Sequence, residues 1–235
     1  HYRCALSNSL SRCYKKGFSV AAITKHKEFF GLNFLVNKHV LVPRPETELI
    51  VQEVLGELKD LTKKILLIDV GTGSGCIPIS ILKNNKNINL AIALDISRLA
   101  LKVAKKNIAR HNVNLEIVKS NLLKKISNKN FQSFDRIIIT ANLPYLTEAQ
   151  IKNEPSIQKE PRVALLAEEN GLALYRQLLQ QIANIFKKQK LLILLEIDPA
   201  QHEQIIQLAK KNLPQSDLEI KKDLAGLNRI LKISI

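Results

Sequence analysis

The chain of 235 residues contains no methionine and no tryptophan, and only 5% of its residues are aromatic. So few rings argue against a surface that binds single-stranded nucleic acid by stacking bases. The three cysteines, at positions 4, 13 and 76, are an odd number and make no disulfide framework. The cytoplasm is therefore the default compartment. No apolar run approaches the ~20 residues that cross a bilayer. The runs at 65–69 and 191–195 are short and sit beside lysines. No signal peptide is visible, and no membrane partner is expected. The five histidines show no metal-ligand spacing. A translated chain starts with Met and this one starts with His1, so it reads as a fragment or a processed product. Acidic residues are scarce, 21 against 36 basic, for a formal charge of +15. A basic surface attracts nucleic acid, ribosomes or acidic proteins. Here pairs such as Lys105-Lys106, Lys187-Lys188 and Lys210-Lys211 are scattered, which favours compositional bias over a binding face.

What is present is ordinary for a globular protein: 46% hydrophobic and 24% charged residues. At roughly 150 residues per domain, the length suits one large domain, or one domain plus a small appendage. The first stretch, 1–27, is polar and partly helical in pattern. Phe29, Phe30, Leu32, Phe34 and Val36 lead into the turn-like pair Asn37-Lys38, and Val40, Leu41 and Val42 follow. That pattern predicts a β-hairpin stopped by Pro43 and Pro45. From Glu46 onward, strands and helices alternate. Helices are expected over 46–58, 76–82, 98–110, 172–186 and 201–213, with Ser97 as the N-cap of the third. The helix over 172–186 carries Leu174, Leu178 and Ile182 on one face. Strands are expected over 65–69, 90–94, 115–118, 136–140 and 191–196, with a closing pair over 218–222 and 229–235. The alternation predicts an α/β fold with a parallel sheet covered by helices on both faces.

The strongest local signal is Asp69-Val70-Gly71-Thr72-Gly73-Ser74-Gly75, between a predicted strand and a predicted helix. Glycines there let the backbone turn sharply and let a ligand approach it closely. A dinucleotide fingerprint needs Gly or Ala where Cys76 stands, which lowers the odds for NAD. Cys76 itself reads as packing, since a reactive thiol needs an electropositive, exposed site. Asp95 ends the second strand of the alternating region about twenty residues on, where an acid can hold both ribose hydroxyls of an adenosine ligand. The competing role for Asp95 is a cap for the helix beginning near Ser97. The fourth strand ends in Thr140-Ala141-Asn142-Leu143-Pro144-Tyr145, at the carboxyl edge where such folds bind ligands. Asn142 offers a side-chain carbonyl. Leu143 precedes a proline, so it is extended and its carbonyl can face the crevice. Two acceptors side by side suit a planar NH2 group, and the Tyr145 ring can stack on it. Alone, Asn and Pro there read as an ordinary turn.

Taken together, the glycine loop, Asp95 and Asn142-Leu143-Pro144-Tyr145 resemble a class I S-adenosylmethionine-dependent methyltransferase of the type that acts on amide or exocyclic amino nitrogens. Flanking strings narrow the resemblance. Val40-Leu41-Val42-Pro43-Arg44-Pro45-Glu46-Thr47-Glu48, Glu160-Pro161-Arg162, Asn170-Gly171-Leu172 and Lys222-Asp223-Leu224-Ala225-Gly226 are similar to the PrmC/HemK family, the peptide chain release factor glutamine methyltransferases. The resemblance runs from about residue 15 to the end of the chain, and Pro-Arg-Pro-Glu-Thr-Glu is its most specific element. It implies a seven-stranded, mostly parallel Rossmann-like sheet with an antiparallel last strand. It divides the chain into a remnant of a helical substrate-binding domain (1–27), a β-hairpin linker (28–45) and the catalytic domain (46–235).

For the site, the resemblance implies S-adenosylmethionine held by Asp69, Gly71, Thr72, Gly73, Ser74, Gly75, Asp95, Asn121, Leu122 and Asn142. Catalysis falls to Asn142, Leu143, Pro144 and Tyr145, and no metal takes part. The implied substrate is the glutamine of the Gly-Gly-Gln motif of release factors, and a monomer is expected. The family usually has proline where Leu143 stands and an acid where Asn121 stands. Leu143 keeps the backbone carbonyl that the role requires. Asn121 can still accept a bond from an adenine amino group. Asn-Leu-Pro-Tyr is also similar to a motif of ribosomal RNA adenine dimethyltransferases. Adenine N6-methylation of RNA or DNA therefore stands as one alternative, and a cofactor-binding module without turnover as another.

Overall fold

The computed structural model describes residues 20–58, 64–126, 131–154, 157 and 160–235. Most of the predicted helical remnant over 1–27 lies outside them; its end forms a short helix, α1 (Val20–Thr24). An antiparallel hairpin follows, β1 (His26–Phe29) and β2 (Leu32–Leu35). Its turn is at Phe30-Gly31, not at Asn37-Lys38, and 40–42 form no strand. Phe30 and Gly31 both have left-handed backbones, φ 51° and 69°. A two-residue type I′ turn, whose twist matches that of its strands, needs this at both central positions. Residues 36–44 instead run on as an irregular strap, with Val36, Val40 and Val42 buried against Ala100 and Val103.

The main sheet contains β3 (Ile65–Val70), β4 (Ile88–Asp95), β5 (Glu116–Lys119), β6 (Arg136–Ala141), β7 (Leu191–Glu196), β8 (Asp217–Lys222) and β9 (Asn228–Ser234). Their spatial order is β5-β4-β3-β6-β7-β9-β8. All neighbours pair parallel except those of β9, which runs against both β7 and β8. This is the expected mostly parallel sheet with an antiparallel last strand.

The helices are α2 (Glu48–Glu57), α3 (Cys76–Asn84), α4 (Arg98–His111), α5 (Glu148–Asn153), α6 (Ala173–Ile185) and α7 (His202–Asn212). Alternate strand residues feed two cores, as the pleat requires. Leu66, Ile68, Ile137, Ile139, Ile193 and Leu195 pack with Tyr175, Leu178 and Ile182 of α6 and Ile205 and Leu208 of α7. Ile65, Leu67, Ile138, Leu192 and Leu194 pack with Ile50, Val51 and Val54 of α2, Ile77 and Ile81 of α3, and Phe29 and Phe34 of the hairpin. β3 is buried along its whole length, which explains its unbroken apolar run. Ser97 caps α4, its Oγ accepting from Ala100 N at 3.2 Å.

The order places the site. From β3 the chain steps outward to β4 and β5, then returns to the other side of β3 as β6. Val70 and Ala141 are register partners across that switch. The loops after them open side by side, the position where open α/β sheets bind ligands.

Candidate active site

Residues 71–75 link β3 to α3 and wall one side of a cleft. Gly71 N and Thr72 N both donate to the Leu94 carbonyl, at 2.8 and 2.9 Å. Gly73 N donates to Asp95 Oδ2 at 2.9 Å and Gly75 N to Thr72 O at 2.8 Å. With these N–H groups spent inside the protein, the loop is poorly suited to cradle a pyrophosphate, whose recognition uses free N–H groups. Gly71 has φ 75°, and a Cβ there would lie 2.9 Å from Leu143 Cδ2. The glycine thus lets the acceptor segment close against the loop. Behind it, buried Asn107 donates to Ser74 O at 2.8 Å and Leu35 O at 3.0 Å, and accepts from Leu35 N at 2.8 Å. One amide ties loop, helix and hairpin together.

Asp95 stands beside the loop in the same cleft. Its Oδ1 accepts from Ser97 N at 2.8 Å, so each carboxylate oxygen holds one backbone N–H. Because Ser97 caps α4, Asp95 is not that helix's cap; it braces the glycine loop. Burial pushes its pKa up, against the bonds from Ser97 and Gly73. Asn121 and Leu122 line the same wall. Leu122 is buried in a left-handed conformation, φ 49°.

On the other side of β3, Asn142, Leu143 and Pro144 leave β6. Asn142 Nδ2 donates to the buried Thr47 hydroxyl at 3.1 Å. The hydroxyl of buried Tyr175 lies 3.3 Å from both N and O of Leu143, and donates to the Glu196 carbonyl over a short bond. Tyr145 OH donates to Glu196 Oε1 at 3.3 Å. Asn142, Leu143 and Pro144 border two adjoining hollows. One is the cleft with the glycine loop and Asp95; the other is lined by Tyr145, Leu146, Leu165 and Glu196.

Of the residues expected at the site, Gly71, Thr72, Gly73, Ser74, Asp95, Asn121, Leu122, Asn142, Leu143 and Pro144 line the cleft. Asp69 and Gly75 do not. Asp69 is buried beneath the loop, its Oδ1 accepting from Thr140 Oγ1 at 2.6 Å. Gly75 faces Ile79 and Ala104. Tyr145 lines the second hollow. Burial pushes Asp69 up to about 6, opposed by the hydroxyls of Thr140 and Thr72. Burial likewise pushes the Cys76 thiol up to about 12, so it is no nucleophile.

The cleft has polar atoms that want partners. Thr72 Oγ1 and Ser74 Oγ are buried at its wall without a hydrogen bond of ordinary geometry among the described residues. Native proteins leave few such groups unpaired.

The methyltransferase small domain family matches residues 46–156. The bifunctional methyltransferase of Rickettsia typhi is 39% identical, over 92% of this chain and 44% of its own length. The release factor glutamine methyltransferase of Streptococcus pneumoniae is 34% identical, over 88% of this chain and 71% of its own. The chain belongs to the release factor glutamine methyltransferase family. A methyltransferase from Pyrococcus furiosus shares the fold at TM-score 0.60 and 20% identity, over 97% of this chain and 98% of that one. A protein-(glutamine-N5) methyltransferase from Alicyclobacillus acidocaldarius does so at TM-score 0.50 and 23% identity, over 82% and 93%.

The structure adds residues that the sequence reading of this family member had not assigned to the site. Thr47 and Glu196 stand behind Asn142 and Tyr145. Ile96 and Ser120 extend the wall at Asp95. Arg44 pairs with the largely buried Glu160, whose Oε2 accepts from Val42 N at 3.2 Å. That pair ties the strap to the 160–166 segment, and both contribute to the lining of the cleft. Pro-Arg-Pro-Glu-Thr-Glu and Glu-Pro-Arg were visible as strings, but only the fold pairs them.

Proposed function

We propose that this chain transfers a methyl group from S-adenosylmethionine to the side-chain amide nitrogen (N5) of the glutamine in the Gly-Gly-Gln motif of peptide chain release factors. The observation that carries this reading is the acceptor segment. Asn142 and Leu143 sit where the cleft with the glycine loop meets a second hollow, so one pair of acceptors serves both. The cofactor supplies an activated methyl on a sulfonium. Asp95 is placed to take ribose hydroxyls with the lone pairs that Gly73 and Ser97 leave free. Asn121 and Leu122 would border the adenine.

A glutamine amide nitrogen is a poor nucleophile because its lone pair is delocalised. Asn142 Oδ1 and the Leu143 carbonyl would hold its two N–H bonds and aim the nitrogen. Such orientation can contribute up to ~7–11 kcal/mol. The same oxygens favour the positive charge that grows on nitrogen. We take the protein to act as a monomer in the cytoplasm, where its proposed substrate works. We assign 46–235 to the catalytic domain. The adenine-methylating alternative gains nothing from the structure, and the release factor glutamine methyltransferases to which the chain is 30–35% identical speak for the glutamine substrate.

The deciding experiment is mass spectrometry of a release factor incubated with this protein and S-adenosylmethionine. A methyl on the Gly-Gly-Gln glutamine, lost with Asn142→Ala, is the expected result. Methyl transfer to RNA or DNA instead would overturn it.

A further inference from the structure

Glu196 is the most unusual group that the transfer step leaves unexplained. It ends β7, is 1% exposed, and has no disulfide, metal or ion-pair role among the described residues. Its Oε1 accepts from Tyr145, and its Oε2 is buried without a hydrogen bond of ordinary geometry. Beside it stands Thr47, 2% exposed, whose hydroxyl oxygen already accepts from Asn142 Nδ2. A hydroxyl has one proton to give, and the carboxyl facing it is that of Glu196, whose charged form the Thr47 hydroxyl favours. Asn142 Oδ1 has no partner among the described residues.

We propose that Glu196 and Thr47 are a positioning pair for the methyl acceptor. The Glu196 carboxylate accepts a hydrogen bond from the Thr47 hydroxyl, so the Thr47 oxygen must accept from Asn142 Nδ2, which keeps Asn142 Oδ1 turned to the substrate amide. The inference rests on the proposed glutamine substrate and assigns a function to the threonine of Pro-Arg-Pro-Glu-Thr-Glu. Its physical content is direction. An asparagine amide is nearly symmetric in shape, and turned end for end it would offer NH2 to an incoming NH2. Donor would face donor, and the grip on the nucleophile would be lost. A carboxylate can only accept, so it forces one orientation through the hydroxyl. A neutral carboxylic acid can donate to the hydroxyl and removes that constraint.

The groups facing Glu196 set the pH range. Burial pushes its pKa up to about 7, opposed by Thr47, Arg229 and Tyr145, while Glu46 adds to the rise. Cys76 and Tyr175 feel its charge from α3 and α6, and Asp198 acts on Tyr145. The constraint therefore weakens as pH falls through about 7.

The test uses Thr47→Val, Thr47→Ser and Glu196→Gln in the full chain. Thr47→Val should lower kcat on a release factor by about 10–100-fold, the cost expected of a misaimed acceptor. Thr47→Ser should restore most of the rate. Glu196→Gln should slow transfer and remove the fall in kcat near pH 7. In 15N-labelled protein without substrate, the Asn142 side-chain N–H protons should exchange slowly in wild type and Thr47→Ser and rapidly in Thr47→Val. A wild-type rate in Thr47→Val, failure of Thr47→Ser to rescue, or an unchanged acid limb in Glu196→Gln would overturn the pair. If the wild type leaves the glutamine unmethylated, the substrate reading falls, and the exchange measurement alone still decides whether Thr47 holds Asn142.

Discussion

Replacing Gly171 by alanine tests how the acceptor segment is held from a position that lines neither hollow. Gly171 closes the 3-10 turn Glu169–Gly171 before α6 and has φ 89°. A Cβ there would lie 2.1 Å from the Tyr145 carbonyl oxygen and 2.2 Å from Gln201 Nε2. These are the two ends of a 3.0 Å hydrogen bond, Gln201 Nε2 to Tyr145 O. An ordinary carbon–oxygen contact is about 3.3 Å or more, so the carbonyl must retreat by about 1 Å and the bond breaks. The left-handed backbone costs alanine about 1–2 kcal/mol. The lost bond adds about 1 kcal/mol, for a total near 2–3 kcal/mol before relaxation. At about 2–4 °C per kcal/mol for a chain of this size, Tm should fall by roughly 4–12 °C. Because Tyr145 moves with its carbonyl, methyl transfer should fall by about 100-fold, while cofactor affinity holds. Thermal unfolding, calorimetric titration with S-adenosylmethionine and single-turnover transfer measure the three. A variant with wild-type Tm and rate would refute the packing argument. One that loses cofactor binding in step with turnover would show that the two hollows are not separable.

Two further outcomes follow from the cleft. Asp95→Ala removes the acceptor for Gly73 N and Ser97 N together with the proposed ribose contact. Hydrogen bonds to a charged group contribute about 1.5–3 kcal/mol, so cofactor affinity should drop roughly 10–100-fold by titration calorimetry; an unchanged affinity would remove Asp95 from the cofactor site. Asp69→Asn probes a buried carboxyl whose folded pKa, about 6, exceeds its ordinary value of 3.8. Between those values the native state holds more protons than the unfolded chain, so ionisation of Asp69 erodes stability as pH rises from about 4 to 6. The asparagine variant escapes this loss. Its stability relative to wild type should grow across that range and level off above it, by up to about 3 kcal/mol in denaturant unfolding. A difference independent of pH would show that Asp69 is not raised.

Much of the chain could be read from its letters because the signals are local. Unbroken apolar runs at 65–70 and 191–196 mark strands buried on both faces, and the cap at Ser97 is a contact over three residues. The glycine loop and Asp95 are separated by about one strand–helix–strand unit, the spacing that a parallel sheet repeats. The hairpin turn is not where composition puts it: Asn37-Lys38 is a turn pair by residue type, whereas Phe30-Gly31 has the backbone that the strands need. Propensity ranked the wrong pair, and packing of Val40 and Val42 against α4 settled it.

The sequence by itself determined a parallel α/β sheet, a glycine loop after its first strand, an acid at the end of its second and the Asn-Leu-Pro-Tyr segment after its fourth. Period and spacing along the chain suffice for that, since each element reports its own environment. Only the tertiary structure decided what stands behind that segment. Thr47 reaches Asn142 across 95 positions, and Glu196 reaches Tyr145 across 51. A buried threonine and a buried glutamate carry no periodic mark. They become legible once β6 returns beside β3 and β7 beside β6, because that order alone brings their side chains to the same buried point.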